Sequence, residues 1–170
     1  MTRLHHLCYE VDDLQRAAEL LSRVYGAGPF FQFERRPFDE LEVPGGEEAT
    51  LDHVIAFGVV LGQIVELKRS IAVQPAALAE GLGQRPIHHT AVAVDDLDAA
   101  CARLEAAGAQ RLVRARTGAF RLAYHRVATI GIVETLQDGE ALAGLDAALA
   151  AETTRWDGTR PLRIEAPSVG

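Results

Sequence analysis

The 170-residue chain is poor in several residue types, with two cysteines, one tryptophan, one methionine and 6% aromatics. Cys8 and Cys101 each lie inside a periodic apolar segment, which argues against a disulfide framework and predicts buried thiols. No apolar run approaches the roughly 20 residues that a bilayer crossing takes. The opening MTRLHHLCYEVDD lacks the basic-then-apolar pattern of a secretory leader. A soluble chain with a cytoplasmic address and no membrane partner is therefore expected. Positive charge is also in deficit, 17 Lys+Arg against 24 Asp+Glu giving −7. No basic stretch is interleaved with aromatics, so nucleic acid is not an expected partner. Arg111, Arg114, Arg116, Arg121 and Arg126 form a local cluster against that sign. It reads first as a solvated basic face and second as a meeting point for an anionic ligand. The remainder, 48% hydrophobic and 24% charged, is ordinary globular composition. The length suits one compact domain or two small modules sharing a core.

The chain also holds an internal repeat. LHHLCYEVDDLQRAAELL at 4–21 returns as IHHTAVAVDDLDAACARL at 87–104, a shift of 83 residues. Each copy opens with an alternating strand, continues with aspartates suited to capping a helix, and runs into an Ala/Leu stripe at helical spacing. Gly26 and Gly28 stop the first helix and Gly108 the second. Strand-like segments follow at 28–38, 51–57 and 63–68, and again at 110–116, 120–127 and 130–136. The expected fold is α+β: two tandem βαβββ modules forming a curved mixed sheet around a metal-containing cavity. The expected organisation is a first module at 1–70, a linker at 71–85 with a short helix near 75–80, a second module at 86–137, and a C-terminal helix and tail at 138–170.

Alternation along a strand fixes which side chains share a face. In the first strand Leu7, Tyr9 and Val11 suit packing on a helix, which leaves His6, Cys8 and Glu10 opposite. In the repeat, Val92 and Val94 mark the helix side and His89 the other, making His89 the twin of His6. Glu66 shares a face with Ile64 and Lys68, and Glu134 with Ile130, Ile132 and Leu136. A carboxylate embedded in an apolar strand costs several kcal/mol unless a cation or donors compensate it. Two neutral imidazoles and two carboxylates around one divalent cation solve that problem, with formal charges summing to zero. His6, Glu66, His89 and Glu134 are thus the expected ligands, one His and one Glu from each module. His5 and His88 are expected on the other face, in a structural or supporting role.

The same residues resemble the vicinal-oxygen-chelate superfamily of glyoxalase I, methylmalonyl-CoA epimerase, extradiol dioxygenases and bleomycin-resistance proteins. The resemblance covers roughly residues 4–137. LHHLCYEVDDL and IHHTAVAVDDL look like opening strands of that family's modules, GAGPFF at 26–31 like the turn into a second strand, and IVEL and IVET like ligand-bearing fourth strands. In the glyoxalase and epimerase branches those four places hold metal ligands, which implies the same four residues here. Four protein ligands on an octahedral ion leave two open positions for an enediolate, whereas a ring-cleaving dioxygenase needs three. The resemblance thus implies a metal-dependent lyase or isomerase abstracting a proton next to a carbonyl. An extradiol Fe(II) dioxygenase and a non-catalytic binding or resistance protein are the alternatives. Glu134 is the expected base, Glu66 the group serving the opposite face, and His53 an accessory acid or base. Ni, Co or Zn is the expected ion, with Fe or Mn behind them. The expected partners are a small-molecule substrate, anionic or a thioester, and a second copy in a homodimer. The stretch AFRLAYHRV at 119–127 departs from the epimerase pattern and leaves the substrate open.

Overall fold

The computed structural model describes residues 2–35, 37–83, 86–164 and 167. Its elements, in chain order, are β1 (Arg3–Glu10), α1 (Leu14–Tyr25), β2 (Phe30–Gln32), β3 (Glu40–Glu42), β4 (Thr50–Val60), β5 (Gln63–Gln74), α2 (Ala76–Leu82), β6 (Ile87–Val94), α3 (Leu97–Ala106), β7 (Gln110–Thr117), β8 (Phe120–Val127), β9 (Gly131–Gln137), α4 (Glu140–Arg155) and β10 (Leu162–Arg163). All ten strands form one curved, open sheet in the order β10-β2-β4-β5-β1-β6-β9-β8-β7-β3. The α+β class and the paired modules expected from the repeat are therefore present.

The order is symmetric about the β1/β6 seam. β1 pairs in parallel with β5, and β6 in parallel with β9, while β1 and β6 meet antiparallel. The two module helices start alike because their capping residues are repeat mates. The Asp13 side chain accepts from Arg16 N and the Asp96 side chain from Ala99 N, each satisfying an N–H that the first helical turn leaves free. Leu14 and Ala18 of α1 pack on Val54, Ala56, Val65 and Leu67, and Leu97 and Cys101 of α3 pack on Ala123. The helices thus cover one face of the sheet, and the opposite face turns inward.

Three features depart from a plain pair of modules. The segment 71–85 is regular rather than a loose connection: β5 runs to Gln74, α2 follows, and Leu78 and Leu82 join the core of the second module; residues 84 and 85 lie outside the described residues. β3 leaves its own module and pairs with β7, Glu40 opposite Arg116 and Glu42 opposite Arg114. Finally, α4 packs Leu145 and Leu149 against Phe31 and Phe57, and Leu142 into the core of the second module. The tail then returns as β10 beside β2, with the Trp156 ring close against Gly28.

Gly58 near the end of β4 shows how tight this packing is. A Cβ there would stand 2.6 Å from the Phe30 ring, which is fully buried. Strand glycines often mark such close approaches. Gly58→Ala should therefore cost about 1–3 kcal/mol of unfolding free energy, read from urea denaturation midpoints; a neutral result would mean that Phe30 has room to move.

Candidate metal centre

The inward face of the four central strands carries the polar groups that the repeat anticipates. His6 lies opposite Ala91 and His89 opposite Cys8 across the seam, while Glu66 lies beside Cys8 and Glu134 beside Ala91. Cys8 and Ala91 are repeat mates, so a local twofold axis relates His6 to His89 and Glu66 to Glu134. The four residues are only 1–4% exposed.

Their atoms converge. His6 Nε2 lies 3.1 Å from His89 Nε2 and 3.0 Å from Glu66 Oε2, and His89 Nε2 lies 3.2 Å from both Glu66 Oε2 and Glu134 Oε2. His6 Nε2 is also 3.2 Å from Glu134 Oε2, and one donor atom from each of the four residues fits within 4.8 Å of all the others. Nitrogen and oxygen ligands held about 2.0–2.2 Å from a single ion stand about 3.0–3.4 Å apart, so these spacings suit one shared cation. Glu134 Oε2 strengthens the fit: it is buried with no well-aligned hydrogen bond, although two imidazole nitrogens lie close to it. Short but misaligned contacts are expected where donor atoms point at a common centre rather than at one another. All four groups come from one chain, so the cluster needs no second copy to be complete.

Electrostatics follow from the packing. Burial lowers the basicity of His6, yet hydrogen bonds and charge from Glu134 and Glu66 outweigh it and push the pKa up to about 9; His89 is raised for the same reasons. Burial alone raises both carboxyls, but His6 and His89 hold Glu66 and Glu134 well below the usual range. Aromatic rings wall the site in matching positions. Phe57 stands edge-on to His6 and Tyr124 to His89, each with centroids 5.2 Å apart. Tyr124 was not singled out in the sequence, although its place on β8 directly opposite Glu134 follows from the same alternation that located the glutamate.

A second layer surrounds the cluster, and two β-bulges create it. The β1/β6 register slips between Leu4 and His6 and again between Cys8 and Tyr9, which makes His5 and His88 the extra residues. A bulge re-aims a side chain that simple alternation would send to the far face. Both rings consequently meet their neighbours: His5 Nδ1 lies 2.7 Å from His6 Nδ1, and His88 Nδ1 lies 2.8 Å from His89 Nδ1. The buried Lys68 donates to His88 Nε2 at 3.0 Å. Burial first and the Lys68 charge second depress the His88 pKa to about 3.

Other expected residues fall elsewhere. His53, on β4, meets the Phe38 ring at a tilt with centroids 5.7 Å apart and lies outside the convergent four, and its buried Nδ1 has no hydrogen-bond partner among the described residues. Burial, then the Lys68 charge, lowers its pKa. The basic cluster is already paired: Arg111 with Glu105, Arg114 and Arg121 with Asp98, Arg116 with Glu40 and Asp39, and Arg126 with backbone carbonyls of Glu80 and Gly81. Arg114, Arg116 and Arg121 also line a cavity of about 310 Å³ together with Glu40 and Glu42, whose carboxylates offset their charge. Another cavity, of about 510 Å³, opens between the segment leading into β3 and the start of β4, with Phe38, Leu41, Ala49 and Leu51 in its wall and the Arg35–Asp52 ion pair beside them. Among the described residues, no helix is long and apolar enough to cross a membrane.

A paired-module fold with an inward His/Glu cluster defines a class that sequence comparison then specifies. The profile of the Glyoxalase/Bleomycin resistance protein/Dioxygenase superfamily matches residues 5–128, and the chain belongs to that superfamily. Among solved structures, the fold is shared with the hypothetical protein BH1468 of Bacillus halodurans, at 17% identity and TM-score 0.53, over 82% of this chain and 96% of that one. It is also shared with methylmalonyl-CoA epimerase from Mycobacterium tuberculosis, at 21% identity and TM-score 0.50, over 82% and 90%. No curated protein matches the sequence.

The charge cluster makes the metal-free protein sensitive to pH. The His6 pKa is raised above its unfolded value of about 6.5, so its stabilisation is complete below that value and is lost as pH rises through about 9. The carboxyl pKa values are depressed, so their contribution holds above the unfolded range and is lost only in acid. Chelator-treated protein should therefore lose on the order of 1–3 kcal/mol of unfolding free energy between pH 6.5 and 9. Equilibrium urea melts at the two pH values read this, and a flat profile would contradict the ion-paired cluster.

Proposed function

We propose that the protein is a divalent-metal-dependent isomerase or lyase that moves a proton next to a substrate carbonyl. The observation that carries this reading is the buried convergence of two imidazoles and two carboxylates within 4.8 Å. His6, Glu66, His89 and Glu134 would hold the ion, with Ni, Co or Zn the best fit to a nitrogen and oxygen set and Fe or Mn next. A cation held there supplies Lewis-acid polarisation of a carbonyl oxygen. The residues of the chain do the rest. Glu134, whose Oε2 lacks an aligned hydrogen bond, takes the proton from the carbon beside the carbonyl. Glu66, its mate across the local twofold, serves the opposite face, delivering there a proton that it takes from solvent while Glu134 passes the abstracted proton to solvent, so that both carboxylates are regenerated. Phe57 and Tyr124 keep bulk water from the two imidazoles. His53, neutral near pH 7 and adjoining the cavity wall through Phe38, is placed to assist with a proton on that side.

The substrate in this reading is a small carbonyl compound with an acidic neighbouring hydrogen, thioesters included, in keeping with the fold shared with an epimerase. The cavity under the β3 segment is the proposed route for it. A cytoplasmic homodimer remains the proposed setting, with the cluster complete in each copy.

Elemental analysis of the purified protein tests the first step. One Ni, Co or Zn per chain is expected, with His6→Ala and His89→Ala losing it; iron alone would favour a dioxygenase, and no metal a binding protein. Because metal must displace the His6 proton, affinity should rise from pH 6.5 to 9, opposite to the stability trend without metal. At a hundredfold excess over Kd the ion should add about 2.7 kcal/mol of stability. For the chemistry, Glu134→Gln should slow solvent deuterium uptake into an α-acidic thioester or hydroxy-carbonyl compound by about 10²–10⁴-fold, followed by NMR; undiminished exchange would remove Glu134 as the base.

A further inference from the structure

α4 lies beyond residues 5–128, the region that the family profile covers, yet it carries a group aimed at the cluster. Leu142, Leu145 and Leu149 recur at helical spacing and pack inward, and Asp146 falls in that same stripe, four residues after Leu142 and three before Leu149. A carboxylate on the packed face of a helix is costly unless it is paired. Asp146 pairs twice: Oδ2 accepts from Arg3 at 2.9 Å, and Oδ1 lies 2.8 Å from His5 Nε2. His5 is almost fully buried, and through its Nδ1 it meets His6 Nδ1 at 2.7 Å.

From this geometry we infer that Asp146 is a positioning residue, which through His5 fixes the tautomer and ring orientation of His6 and so makes His6 Nε2 available to a metal ion. The roles follow from the end of the chain inward. An ionised carboxylate only accepts, so His5 Nε2 carries the hydrogen and donates to Asp146. Only one hydrogen fits between two Nδ1 atoms 2.7 Å apart, so with its own hydrogen on Nε2 His5 offers the Nδ1 lone pair and His6 donates its Nδ1–H to it. Nε2, the atom that faces His89, Glu66 and Glu134, is thereby the nitrogen from which a metal ion displaces a proton and whose lone pair it then takes. Outer partners of this type set the tautomer and basicity of a ligating imidazole. The argument is specific to this half of the site, because the corresponding path from His89 ends on Lys68, a donor. It rests on the metal-centre reading above and adds a role for the C-terminal helix.

The experiment compares wild type, Asp146→Ala and Asp146→Asn in two measurements. Zinc affinity, from competition with a chromophoric chelator, should fall about 10–100-fold in Asp146→Ala and less than about tenfold in Asp146→Asn, whose amide oxygen still accepts. Long-range ¹H–¹⁵N spectra of the histidines in metal-free protein should show His5 as the Nε2–H tautomer in wild type and Asp146→Asn, and as a mixture in Asp146→Ala. Unchanged zinc affinity in Asp146→Ala, or a loss in Asp146→Asn as large as in Asp146→Ala, would overturn the inference. If wild type itself binds no divalent metal, the proposed function fails. The role of Asp146 is then decided by the spectra, and the same His5 tautomer in wild type and Asp146→Ala would overturn it. Should Asp146→Ala not fold, Asp146→Asn and the wild-type spectrum still decide, a wild-type His5 protonated on Nδ1 being incompatible with the inference.

Discussion

Two carboxylates buried within a few ångströms of each other, in the apolar interior of a curved sheet, set the terms for everything around them. Neither could be ionised there alone, and protonating both would leave the imidazoles without counter-charge. The surrounding structure resolves this with positive charge at one point, from the protonated His6 and His89 pair or from a cation. The rings of Phe57 and Tyr124 exclude water and so strengthen each of these interactions. What the cluster contributes to stability therefore depends on how that positive charge is supplied.

Duplication provides the geometry at little cost in sequence. A module carrying one His on its opening strand and one Glu on its closing strand holds half a site, and the antiparallel meeting of β1 and β6 supplies the other half. The bulges that make extra residues of His5 and His88 repeat as well, yet the two outer layers end on groups of opposite character, Asp146 and Lys68. The symmetry of the inner shell is thus broken one layer out. Two imidazoles that look equivalent in the strand pattern therefore sit in different electrostatic surroundings.

Much of this was legible in the sequence because it depends on periods of two and of about 3.6. Alternation located the faces of β1, β5, β6 and β9, and the repeat aligned His6 with His89, so the fold class and the residues that converge could be read without coordinates. What could not be read depends on register and on contacts between distant segments. A bulge shifts pairing by one residue without a signature of its own, so His5 and His88 were assigned by alternation to the face away from the ligands, although they touch them. The pairing of β3 with β7 joins Glu40–Glu42 to Arg114–Arg116 across more than 70 residues, and the carboxylates that pair with the arginine cluster come from that unforeseen neighbour and from Asp98 and Glu105 of α3. Asp146 did leave a trace, as an acidic residue at an apolar position of its helix, but its target became visible only with the helix docked.

The placement of β3 carries a consequence beyond the site. It covers the outer edge of β7, hydrogen-bonding a row of backbone groups that would otherwise be open to any extended chain nearby. The segment leading into that strand also walls the 510 Å³ cavity. The wall of that cavity and the protection of the β7 edge are thus tied together, so that a displacement reaching Glu40–Glu42 would loosen both at once.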